Sequence, residues 1–577
     1  MSKKNRSQNL NTDCTDIWSQ HRSGVDYLMS RQYFEKSDRA FRFYNGNQWY
    51  GVEAGDEYLP VYNIVKPVVK YKTSVVCANA MEIVYSPTNF YDEEHEKYLA
   101  TCKVLNCMAK NTWELLKLTR RIWDDVKDAA IGGNSYRFFM WDSENNRIET
   151  ETVNQTNIIF SDEQQQDIQK QAYIIIAQRD TVSKIKQLAK DVYKCSKETL
   201  ESIVGDDATE YELGDYAKNE VDRNDENAKC TLLIKMSKCP EGINIQRATK
   251  HIVIQEKTLI PGAKLYPIAA LTWDAVKGFS RGAGEVTALV PNQIEINKNL
   301  YRTLLANKLG SFPRIMYNEA VITNPYELDQ IGAPISINAS TVGDIKNHIG
   351  YLEPSHISND AHVLTSNLIS TTRELAGAGD IATGQVNPEK ASGQAILAVQ
   401  KSSEQPVSDA IEAYRQYIED IALIWYDLWS VYSRNGLEVP YENEGTLQKI
   451  TVPYAELVNM SISVKIDVSP SSPYDKYAQE RSLENMMTAG HIKFEEYVEA
   501  LPDDAVMPKA KLVAILEKRQ AAAAVTTVPP SDMTGSGMQA PGQSPPGGAP
   551  ELNIPTQQIP AGGAPQMPAP DIAGMLG

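Results

Sequence analysis

The stretch that decides the fold is Thr372–Gln400, TRELAGAGDIATGQVNPEKASGQAILAVQ. Two segments of helical character flank about fifteen residues rich in Gly, Asn and Pro. Inside the loop, Gly377-Ala-Gly379-Asp-Ile-Ala382 matches G-x-G-x-x-[GA], the pattern of a dinucleotide-binding turn. That reading needs a strand before the glycines and a helix after them in a βαβ unit. Here a helix precedes them, and Asn387-Pro388 interrupts the segment on their C-terminal side. The glycines therefore point to a pliable connection rather than to a phosphate cradle.

On the C-terminal side of the loop a long helix is expected, with Ser392 as its N-cap. Val407, Ile411, Tyr414, Ile418, Ile421, Trp425, Leu428 and Tyr432 recur at alternating spacings of 4 and 3, one apolar stripe that stops at Asn435-Gly436. On the N-terminal side lie a helix over 359–376, a Pro-punctuated strand-prone stretch over 311–353, and a helix over 284–309 with Pro291 early in it. Helix, strand-rich insert and helix make a hairpin with a tip.

Further out, a helix is expected between Trp18 and Tyr44, ending at Asn45-Gly46, and a single long helix from Glu93 to Ala130, ended by Gly132-Gly133. From Ser135 to Trp273 the period changes to that of strands: YRFFMWD, AYIIIAQ, TLLIKM, GINIQ, KHIVIQ and YPIAALTW. Within this region Glu198–Glu226 carries eleven acidic residues against Lys218 and Arg223, a solvated excursion. SISVKIDV over 461–468 alternates as a strand, and short helices are expected up to Arg519. Residues 521–577, with three acidic residues, no basic one and abundant Pro, Gly and Gln, are expected to be disordered.

With 577 residues, 42% hydrophobic and 23% charged, the chain has the composition of a multi-domain globular protein. A net charge of −17 argues against a protein that grips nucleic acid through a basic face. Its seven cysteines are scattered without a C-x-x-C, as in a reducing compartment. Neither an eighteen-residue apolar run nor a secretory signal is present, so no membrane span is expected. A Walker loop, H-E-x-x-H, G-x-S-x-G and kinase motifs are absent, and a second glycine pair, Gly282-Ala-Gly284, lacks surrounding β/α alternation. No cofactor, metal or catalytic residue is expected.

In this order the elements resemble the portal proteins of tailed double-stranded DNA bacteriophages. The resemblance rests on FYNGNQW (43–49), NIVKPVVKYKTSVVCANAMEIVYSP (63–87), DAAIGGNSYRFFMWD (128–142), RGAGEVTALVPNQIEINKN (281–299) and ELAGAGDIATGQVNPEKASGQAILAVQ (374–400), and covers residues 15–520. It implies an α+β portal fold: an α/β wing over 1–280, a first stem helix over 281–310 and a clip over 311–357 that pairs strands between subunits. A second stem helix comes next over 358–376, then a tunnel loop over 377–392, a long helix returning to the wing over 393–470, and a helical crown over 471–520.

The resemblance further implies a non-enzymatic ring of twelve subunits at one capsid vertex of the virion, assembled in the host cytoplasm. Double-stranded DNA passes through its channel during packaging and ejection. The implied partners are the terminase large subunit, head-completion or adaptor proteins, and the major capsid and scaffolding proteins. The tunnel-loop residues Gly377, Gly379, Asp380, Thr383, Gly384, Gln385, Asn387 and Lys390 would border the DNA. Lys298, Arg302 and Lys308 on the first stem helix would form sparse basic rings, the alternative being surface charges or salt bridges. An acidic conduit suits DNA that must slide, because phosphate contacts by many Lys or Arg slow release. The competing class is a scaffold or adaptor that binds partners without a DNA channel.

Overall fold

The computed structural model describes residues 3–53, 55, 58–78, 80–88, 95–206, 225–311, 315–319, 322, 324–327, 349–351, 359–378, 405–434, 436–443, 446–460, 462–469, 473–501 and 512. In chain order the elements are α1 (Lys3–Ser30), α2 (Tyr33–Asn45), α3 (Val65–Val76), β1 (Ala80–Pro87), α4 (His95–Leu115), α5 (Leu118–Gly132), β2 (Asn134–Asp142), β3 (Arg147–Val153), β4 (Ile158–Phe160), β5 (Tyr173–Thr181), α6 (Val182–Asp191) and α7 (Lys197–Glu201). They continue as β6 (Lys229–Cys239), β7 (Gly242–Ala248), β8 (Val253–Pro261), β9 (Ile268–Thr272), α8 (Glu285–Ser311), β10 (Ile315–Tyr317), β11 (Ile349–Tyr351), α9 (Asn359–Leu375) and α10 (Ser408–Tyr432). The last are β12 (Leu437–Asn443), β13 (Thr446–Val452), α11 (Tyr454–Asn459), β14 (Ile462–Ser469), α12 (Pro473–Thr488) and α13 (Phe494–Ala500).

The chain divides into a unit over Met1–Ser482 and a second over Leu483–Gly577. The first is mixed helix and sheet, with every strand pair between the named strands antiparallel. Among the described residues there is no parallel βαβ frame of the kind a dinucleotide-binding turn needs. In the second unit Tyr497, Val498 and Leu501 form a small core with Leu483, Met487, Ile492 and Leu512.

Strand alternation builds the layers of the first unit. One face of the sheet β3-β2-β9 presents Phe139, Ile148, Ala269 and Leu271 to a helical core containing Val126, Ala129, Ile421 and Trp425. Its other face presents Tyr136, Phe138, Val153 and Ile268 to Ile158, Ile174, Ile176, Ile234 and Met236 of the sheet β4-β5-β6-β7-β8. The far face of that sheet, through Ile159, Ile175 and Leu233, receives Cys14, Ile17, Val25 and Leu28 of α1. Helix, sheet, sheet and helix thus stack as four layers.

The stripe expected over 407–432 is the inner face of α10, where Tyr414, Ile418, Ile421 and Trp425 are buried. Across the sheet interface, Arg137 of β2 donates to Asp125 of α5 at 2.7 and 2.8 Å, and the Tyr417 hydroxyl of α10 donates to the same carboxylate at 2.8 Å. The expected 461–468 strand is β14, paired with β1 from Ala80↔Ser469 to Pro87↔Ile462.

Two expected helices differ. The helix foreseen from Trp18 to Tyr44 is α1 and α2, separated at Gln32, whose backbone is left-handed at φ 55°. The helix foreseen from Glu93 to Ala130 breaks at Lys117, φ 51°. Leu116 and Leu118 are both buried. In a continuous helix residues two apart lie about 200° apart, so only a break turns both inward. The Trp113 indole N–H donates to Thr119 Oγ1 at 2.9 Å across it. The excursion's middle, the Ser392 cap and residues 521–577 lie outside the described residues.

Candidate functional site at a helical hairpin and its root

Helices α8 and α9 run antiparallel as the two arms of a hairpin. Near its root the Asn292 amide donates to Thr372 Oγ1 at 3.1 Å. At the other end β10 pairs with β11, from Ile315↔Tyr351 to Tyr317↔Ile349. The expectation was that clip strands pair between subunits; the two described here pair within the chain.

The hairpin leaves the body partway along α8. Val286, Leu289, Val290, Gln293, Ile296 and Asn297 are buried, whereas Lys298–Lys308 holds no buried residue. On α9, among residues 361–375, only Thr372 is buried. A 27-residue helix is about 40 Å long, so roughly half of α8 lacks cover from the body.

Two constellations hold the root, and both draw on the sequence stretches that carry the family resemblance. The first is a buried amide relay. Asn297 Nδ2 donates to Gln48 Oε1 at 2.6 Å, and Gln293 Nε2 donates to Asn297 Oδ1 at 3.0 Å and to the Tyr62 carbonyl at 2.7 Å. Gln293 Oε1 accepts from Ile64 N at 3.0 Å, Asn297 Oδ1 from Tyr62 N at 3.1 Å, and Gln48 Nε2 donates to the Phe43 carbonyl at 2.9 Å. A relay whose members are satisfied fixes one geometry, since any slip strands buried amides at about 1–3 kcal/mol each. FYNGNQW, NIVKP and NQIEINKN are thus one structure.

The second constellation joins DAAIGG to RGAG through close backbone approach. A Cβ on Gly284 would lie 2.2 Å from the Ile131 carbonyl oxygen, and one on Gly282 would lie 2.8 Å from that of Gly133. Gly133 itself has φ +101°, a region other residues seldom adopt. Gly282 N donates to Asn134 Oδ1 at 2.7 Å. The fully buried Arg281 donates to Glu163 at 2.8 and 3.0 Å, to the Ile158 carbonyl at 2.6 Å and to the Gln155 carbonyl. Burial alone would lower the Arg281 pKa, but Glu163, Tyr136 and Tyr33 more than offset it and the guanidinium stays charged.

The predicted basic residues do not form one row. At about 100° per residue Lys298 and Arg302 are about 40° apart on α8, and Lys308 lies about 120° from Arg302. Lys298 pairs with Glu295 at 2.9 Å, and Arg302 donates to Asn299 Oδ1 at 3.1 Å. The Glu295 carboxyl is held below its usual range by Lys298, with Arg302 contributing. Lys308 is exposed in the last turn.

Gly377 closes α9. Its backbone is left-handed at φ +68°, its N–H donates to the Glu374 carbonyl at 2.9 Å, and Ala378 N donates to the Arg373 carbonyl at 2.9 Å. These are the two bonds of a Schellman stop. Ala378 is buried. Gly377, expected at the start of the loop, stands as the left-handed stop of α9. Gly379, Asp380, Thr383, Gly384, Gln385, Asn387 and Lys390 lie outside the described residues.

Burial pushes the Cys77 and Cys230 thiols up to about 12 and Cys102 up to about 11, which leaves them protonated near neutrality. Among the described residues no group of three His, Cys, Asp or Glu is placed to hold a metal ion, and no helix is long and apolar enough to cross a membrane. Compared with models of protein families and with curated proteins, the chain matches none.

Proposed function

We propose that this chain is a ring-forming subunit of the phage-portal type, whose α8–α9 hairpins stand side by side around a channel for double-stranded DNA. The observation that carries the reading is the hairpin itself: two antiparallel helices, rooted by buried polar and glycine contacts, extend where their own chain leaves them uncovered. An arm with Leu304, Val363, Leu364 and Leu375 exposed is a surface that other copies complete. Gln48, Ile64, Ile131, Gly133 and Asn134, one or more from each of the stretches 43–49, 63–87 and 128–142, meet 281–299 at the root, so the joint occurrence of these stretches serves one requirement, a fixed hairpin angle. At −17 per chain, a ring repels phosphate on average, while Lys298, Arg302 and Lys308 are spaced along α8. The terminase large subunit, head-completion proteins, and capsid and scaffolding proteins are the partners such a ring would dock.

The test is negative-stain electron microscopy of the full chain, with class averages scored for rotational symmetry. Rings of about twelve subunits with an axial hole of duplex width support the reading. Small compact oligomers without a hole refute it and favour the adaptor class.

A further inference from the structure

The exposed charge on α4 and α5 runs against the sign of the chain. Acidic residues outnumber basic ones along the sequence, 74 to 57. Between residues 100 and 123 the exposed charged side chains are Lys103, Lys110, Lys117, Arg120 and Arg121, against Glu114 alone. The Arg120 side chain is 80% exposed and lies 3.7 Å from Asp124, a loose surface pair, and Arg121 donates to the Thr150 carbonyl at 3.1 Å. The three lysines make no ion pair among the described residues.

Helix geometry makes these charges one field. Residues seven apart return to nearly the same side of a helix, so Lys103 and Lys110 stand about 10 Å apart along α4, and Lys117 follows at the break about as far again. The Trp113–Thr119 bond ties the last turn of α4 to the first of α5, where Arg120 and Arg121 lie within about one turn of Lys117. Each cation is within about one Debye length of the next at roughly 0.1 M salt, so their potentials add. Trp123, 37% exposed, sits one turn past Arg120 and adds an accessible aromatic ring. The hairpin root is at the other end of α5, about 20 Å away.

We propose that this α4–α5 surface binds nucleic acid through its phosphate backbone. A polyphosphate chain offers acceptors at a regular pitch: three phosphate steps on one duplex strand span about 10 Å along the axis, the spacing of Lys103 and Lys110. No shaped pocket is needed, because backbone contacts hold a strand without reading its sequence. Trp123 beside Arg120 favours nucleic acid over an acidic protein surface, since a base stacks on an indole and a carboxylate does not. The contact is independent of whether the hairpins form a ring, and it uses none of Lys298, Arg302 and Lys308.

The experiment follows the fluorescence anisotropy of a labelled thymidine oligonucleotide of about 25 residues with the full chain, between about 50 and 200 mM salt. With five cations engaged, log K should fall with log salt at a slope of about −3.5, roughly a hundredfold over that range. Lys103→Gln/Lys110→Gln/Lys117→Gln should bring the slope to about −1.4 and weaken binding at the lowest salt at least tenfold. Its unfolding midpoint should not move, because all three sites are exposed. Lys170→Gln/Lys184→Gln/Lys190→Gln, equally exposed, makes the same change in net charge and should bind like wild type. Trp123→Ala should weaken the oligonucleotide about threefold or more and leave any binding of poly-glutamate as it was. Equal loss in both lysine variants overturns the inference. Loss confined to Lys298→Gln/Arg302→Gln/Lys308→Gln also overturns it, while favouring a channel. So does a wild-type chain that leaves the oligonucleotide unbound at the lowest salt, or one that binds poly-glutamate equally tightly, which would give the face to an acidic protein.

Discussion

Gly284→Ala isolates the glycine contact at the hairpin root. The added Cβ would meet the Ile131 carbonyl oxygen at 2.2 Å and Gly133 N at 3.0 Å, both backbone, so no side-chain rotation relieves it. Ordinary contact begins near 3.4 Å, so α8 and the end of α5 must part by about 1.2 Å. Overpacking of this kind costs roughly 1–3 kcal/mol, and the site's rigidity places it at about 2–3. Gln293 and Asn297 hold the helix about 14 Å farther along, so a 1.2 Å shift at the root becomes a tilt of about 5° about that pivot. Ser311, about 27 Å beyond the pivot, then moves by about 2 Å. Urea unfolding tracked by tryptophan fluorescence reads the loss as a midpoint lowered by about 0.5–1 M. Gly350→Ala is the control, because its Cβ would meet only the Met316 side chain, at 3.8 Å. If Gly284→Ala unfolds at the same urea concentration as that control, the close approach does not hold the root.

Three further substitutions test other parts of the frame. Arg137→Met leaves Asp125 buried and uncompensated and is expected to cost about 3–5 kcal/mol, much of which Asp125→Leu in the same chain restores; equal loss in single and double variants would show that the pair is not coupled. Burial, then Glu419 and Asp167, push the Asp420 carboxyl up to about 7 from an unfolded value near 3.8. The folded state therefore holds this proton more tightly, a contribution present below about pH 4 and lost as pH rises through about 7. Asp420→Asn should melt close to wild type at pH 4 and higher than it at pH 8, and an unchanged difference between the two pH values would refute the assignment. Gly377→Ala forces an alanine to φ +68° with its Cβ 2.8 Å from Pro406 Cβ, at a cost of about 1–2 kcal/mol, read as faster amide exchange in the last turn of α9; unaltered exchange would mean the stop is not strained.

What the sequence revealed was periodicity. The alternation of 4 and 3 over 407–432 is legible because one face of α10 meets a continuous core, and AYIIIAQ and TLLIKM are legible because β5 and β6 are buried on both faces. The strand β3, RIETETV, went unread because it pairs only through β2 and mixes outward carboxylates with threonines that serve Arg137. The break at Lys117 was invisible for a different reason: only the tertiary requirement to bury Leu116 and Leu118 together makes it favourable, and no local residue announces that. The root of the hairpin lies between these cases. Its parts were on view as two glycine pairs and several amide-rich strings, yet glycine and asparagine carry no period, and only the three-dimensional neighbour tells whether a glycine admits a phosphate or a carbonyl. Gly284 meets the carbonyl of Ile131, and Gln293 meets the backbone of Tyr62 and Ile64. Residues conspicuous enough to suggest a ligand site are, at this root, the means by which one helix is held at one angle to the body, and an assembly of hairpins around an axis would depend on that angle being the same in every copy.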